Sequence, residues 1–304
     1  MTEMTHPALP VLEEAIRQAT GSDFRPSLCA AAGGGCISET FTIGDGRQRY
    51  FVKLGTAADA SLFSAEAEGL GAIAASGSFR TPAVIAQGSD AQHAFLVLEH
   101  LELRALASAA EGAAFAEHLV QLHRTLGEHF GWRHDNFIGR SPQRNGEGDN
   151  WSAFFVDRRL RPQFEMAKAK GFGGELQRQG ERLLARVPAL FLDYRPQPSL
   201  LHGDLWHGNA AVTAAGEPTV FDPAVHYGDR EADLAMSELF GGFPSAFYAA
   251  YRSAWPLNED YEQRKLLYSL YHILNHLNLF GRSYLREALR LSTRLNEELS
   301  LRRD

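Results

Sequence analysis

The chain has 304 residues, 44% of them hydrophobic, with 30 Lys and Arg against 37 Asp and Glu. That length suits one large or two medium domains with a real core, and a net charge of −7 with no basic run argues against a nucleic-acid partner. No stretch approaches the roughly 20 apolar residues of a spanning helix, residues 1–10 lack a charged-then-apolar leader pattern, and two cysteines are too few for a disulfide framework, so a cytoplasmic protein without a membrane partner is expected.

The spacing of Val11, Leu12, Ala15, Ile16 and Ala19 predicts a short amphipathic helix. From Leu28 the pattern changes to strands, at Ile37, Thr40 to Ile43 and Gln48 to Leu54, with Gly44-Asp45-Gly46 as a hairpin signal. Gly33, Gly34 and Gly35 lie between two predicted strands, where the lack of a Cβ lets backbone N–H groups approach a phosphate. No Gly-Lys-Ser/Thr follows, so this is not a Walker motif, and taken alone three glycines more often mark a turn. Lys53 closes an apolar strand on a cation, as suits a lysine that holds α- and β-phosphates. Such a lysine needs a carboxylate to fix it. The Ala- and Glu-rich helix predicted over 58–75 offers Glu66 and Glu68, and Glu66 is preferred because it shares a face with Leu70; two solvated helix charges are the alternative.

Val84 to Ala86 and Phe95 to Leu98 are two further strands, running into a hinge expected near Glu99-His100-Leu101. The Glu99 carbonyl and the Leu101 N–H are then positional candidates to meet adenine. Beyond Leu101 the chain reads as helices over 108–128, 151–170, 176–192, 244–251, 261–280 and 284–301. The intervening 131–150 loop, rich in Gly, Asn and Arg, is long enough to suggest function. The expected fold is α+β and two-lobed, protein-kinase-like, with a β-rich nucleotide-binding lobe over 1–101 and a mainly helical catalytic and acceptor-binding lobe over 102–304. A nucleotide would lie between the lobes.

The densest chemistry is His202-Gly203-Asp204-Leu205-Trp206-His207-Gly208-Asn209, followed by Phe221-Asp222-Pro223-Ala224. Ala210 to Thr213 and Pro218 to Phe221 read as strands around a turn at 214–217. An antiparallel hairpin would bring Asn209 and Asp222 to one end. An amide oxygen and a carboxylate suit magnesium, which takes one or two protein ligands beside substrate phosphates. Asp204, in the preceding loop, can then accept the proton of an attacking hydroxyl. Protein kinases carry H-R-D-x-x-x-x-N and a later magnesium-holding Asp. Here glycine takes the middle position and Asp-Pro-Ala replaces Asp-Phe-Gly, which points to a small-molecule or modified-side-chain acceptor. Asp233 is expected as an N-cap or a buried tie to the catalytic loop, and His202 as a positioner of that loop. His272 and His276, one helical turn apart, suit a satisfied core or cleft pair better than a metal pair. Asn275 and Asn278 suit either a sugar-binding cleft or a buried polar network.

These stretches resemble the fructosamine kinase (ketoamine kinase) family, in the aminoglycoside-phosphotransferase-like branch of the kinase fold. The resemblance runs nearly end to end, through residues 34–38, 50–53, 95–101, 135–139, 142–145, 202–209, 222–224, 230–236 and 274–281. The catalytic segment alone would admit any kinase of this branch; the Asp-Asn-Phe-Ile-Gly loop and the Asn-His-Leu-Asn-Leu-Phe-Gly helix are more specific. It implies phosphorylation by ATP and Mg2+ of the hydroxyl on carbon three of a fructosamine, ribulosamine or erythrulosamine, small or protein-bound. The unstable ester then falls apart and releases the amine, which is deglycation. Carried over by position, Asp204 is the base, Asn209 and Asp222 hold magnesium, and Lys53 with Glu66 orders the phosphates. Trp206, His207, Asn275 and His276 would border the acceptor. His207 and His226 stand where many relatives carry other residues, which leaves acceptor preference open. A monomer or homodimer is expected. Cys36, in the predicted phosphate loop, is either a redox switch or a small residue in a tight loop. The rivals are another small-molecule kinase of the branch acting on an aminoglycoside, choline or a sugar, a ketoamine-binding pseudokinase, and a metallohydrolase using His202, Asp204 and His207.

Overall fold

The computed structural model describes residues 6–32 and 38–301. Gly33, Gly34, Gly35 and Cys36, with Ile37, lie outside the described residues. The chain opens with α1 (Leu9–Thr20), β1 (Leu28–Ala31), β2 (Glu39–Gly44), β3 (Arg49–Thr56) and α2 (Ala60–Ala75). Next come β4 (Val84–Ser89), β5 (His93–Glu99), β6 (Leu103–Arg104) and α3 (Ala109–His123). A short hairpin, β7 (Asn136–Ile138) and β8 (Ser141–Gln143), precedes α4 (Trp151–Phe155), α5 (Arg161–Ala169), α6 (Glu175–Leu184) and β9 (Ser199–Leu201). The last part holds β10 (Ala210–Thr213), β11 (Pro218–Val220), β12 (His226–Gly228), α7 (Glu231–Leu239), α8 (Ser245–Ala254), α9 (Tyr261–Phe280) and α10 (Leu285–Leu301).

Two compact units result, and both are discontinuous: Met1–Arg104 with Val212–Asp222, and Ala105–Ala211 with Pro223–Asp304. The expected division into 1–101 and 102–304 treats each piece as continuous. Backbone pairing explains the difference. Val212 and Thr213 pair with Arg104 and Leu103, and Arg80 bridges Thr219, so the hairpin following Asn209 is drawn into the first unit.

The first unit is built on a five-stranded antiparallel sheet in the order β1-β2-β3-β5-β4. Its side chains alternate faces with a period of two. Phe41, Ile43, Val52, Leu54, Phe95 and Val97 pack with Leu12 and Ile16 of α1. Leu96 and Leu98 pack on the other face with Phe63 and Leu70 of α2, where Phe51 also lies. Lys53, two residues after Phe51, therefore looks toward α2.

The second unit has its core around α9, whose Leu267, Leu270, Leu274 and Leu277 meet Phe155, Leu160, Phe164, Leu291 and Leu295. A capping box at Ser108 and Glu111 starts α3. The single helix expected over 151–170 is two helices joined by a π-helical turn at Val156–Leu160. The helix expected over 176–192 stops at Leu184, and a 3-10 turn takes over at Val187–Phe191, where Pro188 has no N–H for a regular helix. Arg264 is fully buried and paired with Glu231 at 2.7 and 3.0 Å, over the Tyr194 ring at 3.9 Å. Glu231→Ala removes that guanidinium's carboxylate partner, leaves it the Asn258 Oδ1 acceptor at 3.1 Å, and should destabilise the fold by about 3–5 kcal/mol. Glu231→Leu with Arg264→Met should recover most of the loss. Urea midpoints of both variants beside the wild type check this, and a midpoint unmoved by Glu231→Ala would refute it.

Candidate active site

Lys53 is buried at the centre of the first unit, between two carboxylates. Its Nζ lies 2.5 Å from Asp222 Oδ1, a donated hydrogen bond, and 2.7 Å from Glu66 Oε1. The Glu66 contact is a close ion pair rather than an aligned hydrogen bond. Burial works against the Lys53 ammonium, but the charges of Asp222 and Glu66 outweigh it and hold its pKa above the ordinary lysine value. Burial pushes the Glu66 carboxyl up to about 7, against the pull of Lys53. Both directions follow from one ammonium shared by two carboxylates in a dry site. Asp222 lies two residues beyond β11 and has φ 55°, the one positive φ outside glycine among the described residues. Such backbone settings cluster at functional sites.

Glu99 ends β5 opposite Tyr50, and its N–H donates to the Ala83 carbonyl. Its carboxylate takes Arg80 Nη2 at 2.5 Å and the Ala83 N–H at 3.1 Å, so this side chain ties the sheet edge together. Leu101 lies two residues beyond β5, outside any strand.

In the second unit the loop after β9 is fixed by one buried carboxylate. Asp233 accepts the N–H groups of His202 and Gly203, each at 2.8 Å, and lies 3.1 Å from His123 Nε2. Burial alone would raise its pKa, but the His123 hydrogen bond, nearby imidazole charge and the Gly203 N–H hold it below the usual carboxylate range. Asp233 makes no side-chain cap on α7, so of its two expected roles the structure has the buried tie. Gly203 has φ 82° and presses against the Ala224 carbonyl, while the Ala224 N–H donates to His202 O at 2.8 Å.

Asp204 is half-buried at the tip of that loop, its N–H directed at His202 Nδ1 at 3.3 Å. Asn209 Nδ2 donates to the Asp204 carbonyl at 2.9 Å and to Asp204 Oδ2 at 3.2 Å. With the nitrogen engaged, the Asn209 amide oxygen is the atom left to accept a cation, as magnesium chemistry requires. Trp206 is half-buried, edge-on to exposed His207 at 4.9 Å and to Phe240 at 6.1 Å. A Cβ on Gly208 would meet the Trp206 ring at 2.4 Å, so glycine is what lets the indole fold over the loop. His276 lies tilted against Phe240 at 4.7 Å and donates from Nδ1 to His272 O at 2.8 Å.

Asn275, expected at the acceptor, is instead buried. Its Oδ1 accepts Gln163 Nε2 at 3.3 Å, and Asn278 Nδ2 donates to Gln163 O and Oε1 at 3.0 and 2.7 Å. Both amides belong to a polar network between α9 and α5, because an apolar helix face leaves such groups no water. His202 is buried and His207 exposed, and among the described residues no three His, Cys, Asp or Glu side chains are grouped to hold a metal.

Sequence reasoning singled out the 135–145 stretch without assigning it a task. Asn136 Nδ2 donates to Val225 O at 2.7 Å, and Gln143 Nε2 donates to Ala224 O at 3.2 Å and to Asn136 Oδ1 at 2.9 Å. Gln143 Oε1 accepts Tyr271 OH at 2.8 Å, and Asn145 Oδ1 accepts Arg159 Nη2 at 2.8 Å. This amide lock holds the chain that follows Asp222-Pro223. Its signal in the sequence is three side-chain amides, Asn136, Gln143 and Asn145, within one short loop.

A sequence model of the fructosamine kinase family matches residues 9–298. A Synechocystis protein named probable ketoamine kinase is 45% identical over 278 residues, covering 91% of this chain and 93% of its own length. Mouse ketosamine-3-kinase is 35% identical, covering 88% of this chain and 94% of its own. A solved fructosamine-3-kinase candidate from Haemophilus somnus superposes with a TM-score of 0.86 at 31% identity, covering 93% of this chain and 96% of that one. A thermostable mutant of aminoglycoside phosphotransferase APH(4)-Ia, solved with ADP and hygromycin B, gives a TM-score of 0.65 at 14% identity over 94% and 98% of the two chains, a likeness of fold alone. The fold is kinase-like, with a β-rich first unit and a helical second one.

Proposed function

The chain belongs to the fructosamine kinase family, and on that premise we propose that it uses ATP and magnesium to phosphorylate the hydroxyl on carbon three of a ketoamine sugar. The phosphate ester then decomposes and frees the amine, which makes the reaction a deglycation step. One observation carries the reading: a buried Lys53 held between Glu66 and Asp222. A cation so placed can exchange a carboxylate for phosphate oxygens without leaving its site, with Glu66 keeping it in position. Asn209 and Asp222 are the oxygen donors that would hold magnesium, and their chain positions, directly before β10 and two residues beyond β11, support that pairing. Bound there, the ion supplies positive charge to the phosphates. Asp204 accepts the proton of the attacking hydroxyl. Gly33, Gly34 and Gly35 are assigned to the phosphates, the Glu99 and Leu101 backbone to adenine, and Trp206, His207 and His276 to the acceptor.

The test is the purified chain with ATP, magnesium and a panel of fructosyl-, ribulosyl- and erythrulosyl-lysine beside an aminoglycoside and choline. Phosphorylation confined to the ketoamines is expected, with the ester placed on carbon three by phosphorus NMR. Turnover of choline or the aminoglycoside with none on ketoamines would transfer the chain to another kinase activity. No ATP consumption with any acceptor would leave a binding protein.

A further inference from the structure

His272 is a buried group that the reaction above leaves unused. It lies in mid α9 and is 3% exposed, and its Nδ1 is shut off from solvent without a hydrogen-bond partner. Buried polar atoms are nearly always bonded, and each exception asks for an explanation. The carboxylate it faces is that of Asp204, with Oδ1 4.0 Å from Nδ1. That gap is about 1 Å longer than a hydrogen bond. Asp204 is partly exposed in its loop, whereas His272 is buried within the helix, edge-on to the Tyr271 ring at 5.1 Å. The other carboxylate oxygen, Oδ2, already takes Asn209 Nδ2 at 3.2 Å.

We propose that His272 is a positioning residue for Asp204: its Nδ1–H donates to Oδ1 while Asn209 holds Oδ2, and the two together set the plane in which the carboxylate meets the acceptor hydroxyl. Each carboxylate oxygen can take two hydrogen bonds, so one donor on Oδ1 and one on Oδ2 do not by themselves exhaust the lone pairs that could take the hydroxyl proton. Burial, and then His276, push the His272 imidazole down to about 3. The ring is therefore a neutral donor and orients the base without placing a cation beside it. This inference rests on the reading of Asp204 as the base.

The rival occupant of the same nitrogen is water. A cavity of about 10 Å³ beside His272, lined also by Arg159, Gly203, Asp233 and Tyr271, is close to the size that holds one molecule. Arg159 Nε is likewise buried without a partner, so a water there would donate to Nδ1 and place the ring proton on Nε2.

Nitrogen-15 NMR of the histidine-labelled full chain reads the tautomer directly, with the His272 signals identified by their loss in His272→Asn. The proton on Nδ1 is expected, and the proton on Nε2 would overturn the proposal. In the ketoamine assay, His272→Ala should lower kcat by about 10²-fold with KM unchanged, since a misplaced reacting group costs about that much. His272→Asn, whose amide nitrogen stands where Nδ1 was, should restore most of the rate. His272→Gln, which reproduces Nε2, should not. Equal losses in Asn and Ala, equal rescue by Gln, or a loss confined to KM would sink the inference. A wild-type chain that phosphorylates no ketoamine would instead sink the functional reading, and the tautomer would still decide the role of His272.

Discussion

Asp204→Asn should lower turnover of a ketoamine by about 10²–10⁴-fold, the usual contribution of a positioned base, and leave ATP affinity unchanged. The substitution is close to isosteric, and the loop it sits in is held by groups that it does not touch. Asp233 grips the backbone of His202 and Gly203, and the Asp204 N–H keeps its contact with His202. An oxygen remains at position 204 to accept Asn209 Nδ2. What disappears is a carboxylate able to take a proton. Pre-steady-state mixing separates the steps: nucleotide binding should match the wild type and phosphoryl transfer should slow. If turnover stays within about tenfold of the wild type, the hydroxyl is losing its proton elsewhere. If the loss falls on KM alone, Asp204 is a binding group rather than the base.

The parts of this chain that follow a local rule were legible. The alternation of Phe41, Ile43, Val52 and Leu54 places them on one face of the sheet, and those residues form one core. Glu66 was preferred over Glu68 because it shares a face with Leu70, and Leu70 does pack against the sheet while Glu66 meets Lys53 at 2.7 Å. Longer-range pairings were not legible. The ladder of β9 with β12 joins Leu201 to His226, and three-residue strands carry no period to read. The π-helical turn interrupts a run whose apolar spacing reads as one helix, and the turn buries Arg159 beside Asn145, far from it in sequence. Arg264 is similar, since a charge is read as surface until Glu231 is placed beside it. Helical spacing identified His272 and His276 as a pair. Which ring faces a carboxylate depends on how α9 packs against the loop after β9, and that is a tertiary fact.

Gly203→Ala should lower turnover by about 10²-fold or more and destabilise the fold by about 1–3 kcal/mol, although residue 203 contributes no side chain to the chemistry. Two constraints meet there. At φ 82° an L-residue bears a penalty of about 1–2 kcal/mol. A Cβ would also stand 2.1 Å from Ala224 O, inside any real contact distance. That carbonyl cannot retreat cheaply, because Gln143 Nε2 donates to it at 3.2 Å and the Ala224 N–H is bonded to His202. The catalytic loop must therefore move instead, and Asp204 and Asn209 move with it. Gly216→Ala separates the two constraints, since Gly216 has φ 83° but nothing within 4 Å of its would-be Cβ. It should lose stability alone and keep full turnover. Equal activity in the two variants would mean that the approach of Gly203 to Ala224 does not set the loop, and the base would then have to be held by Asp233 and Asn209 without it.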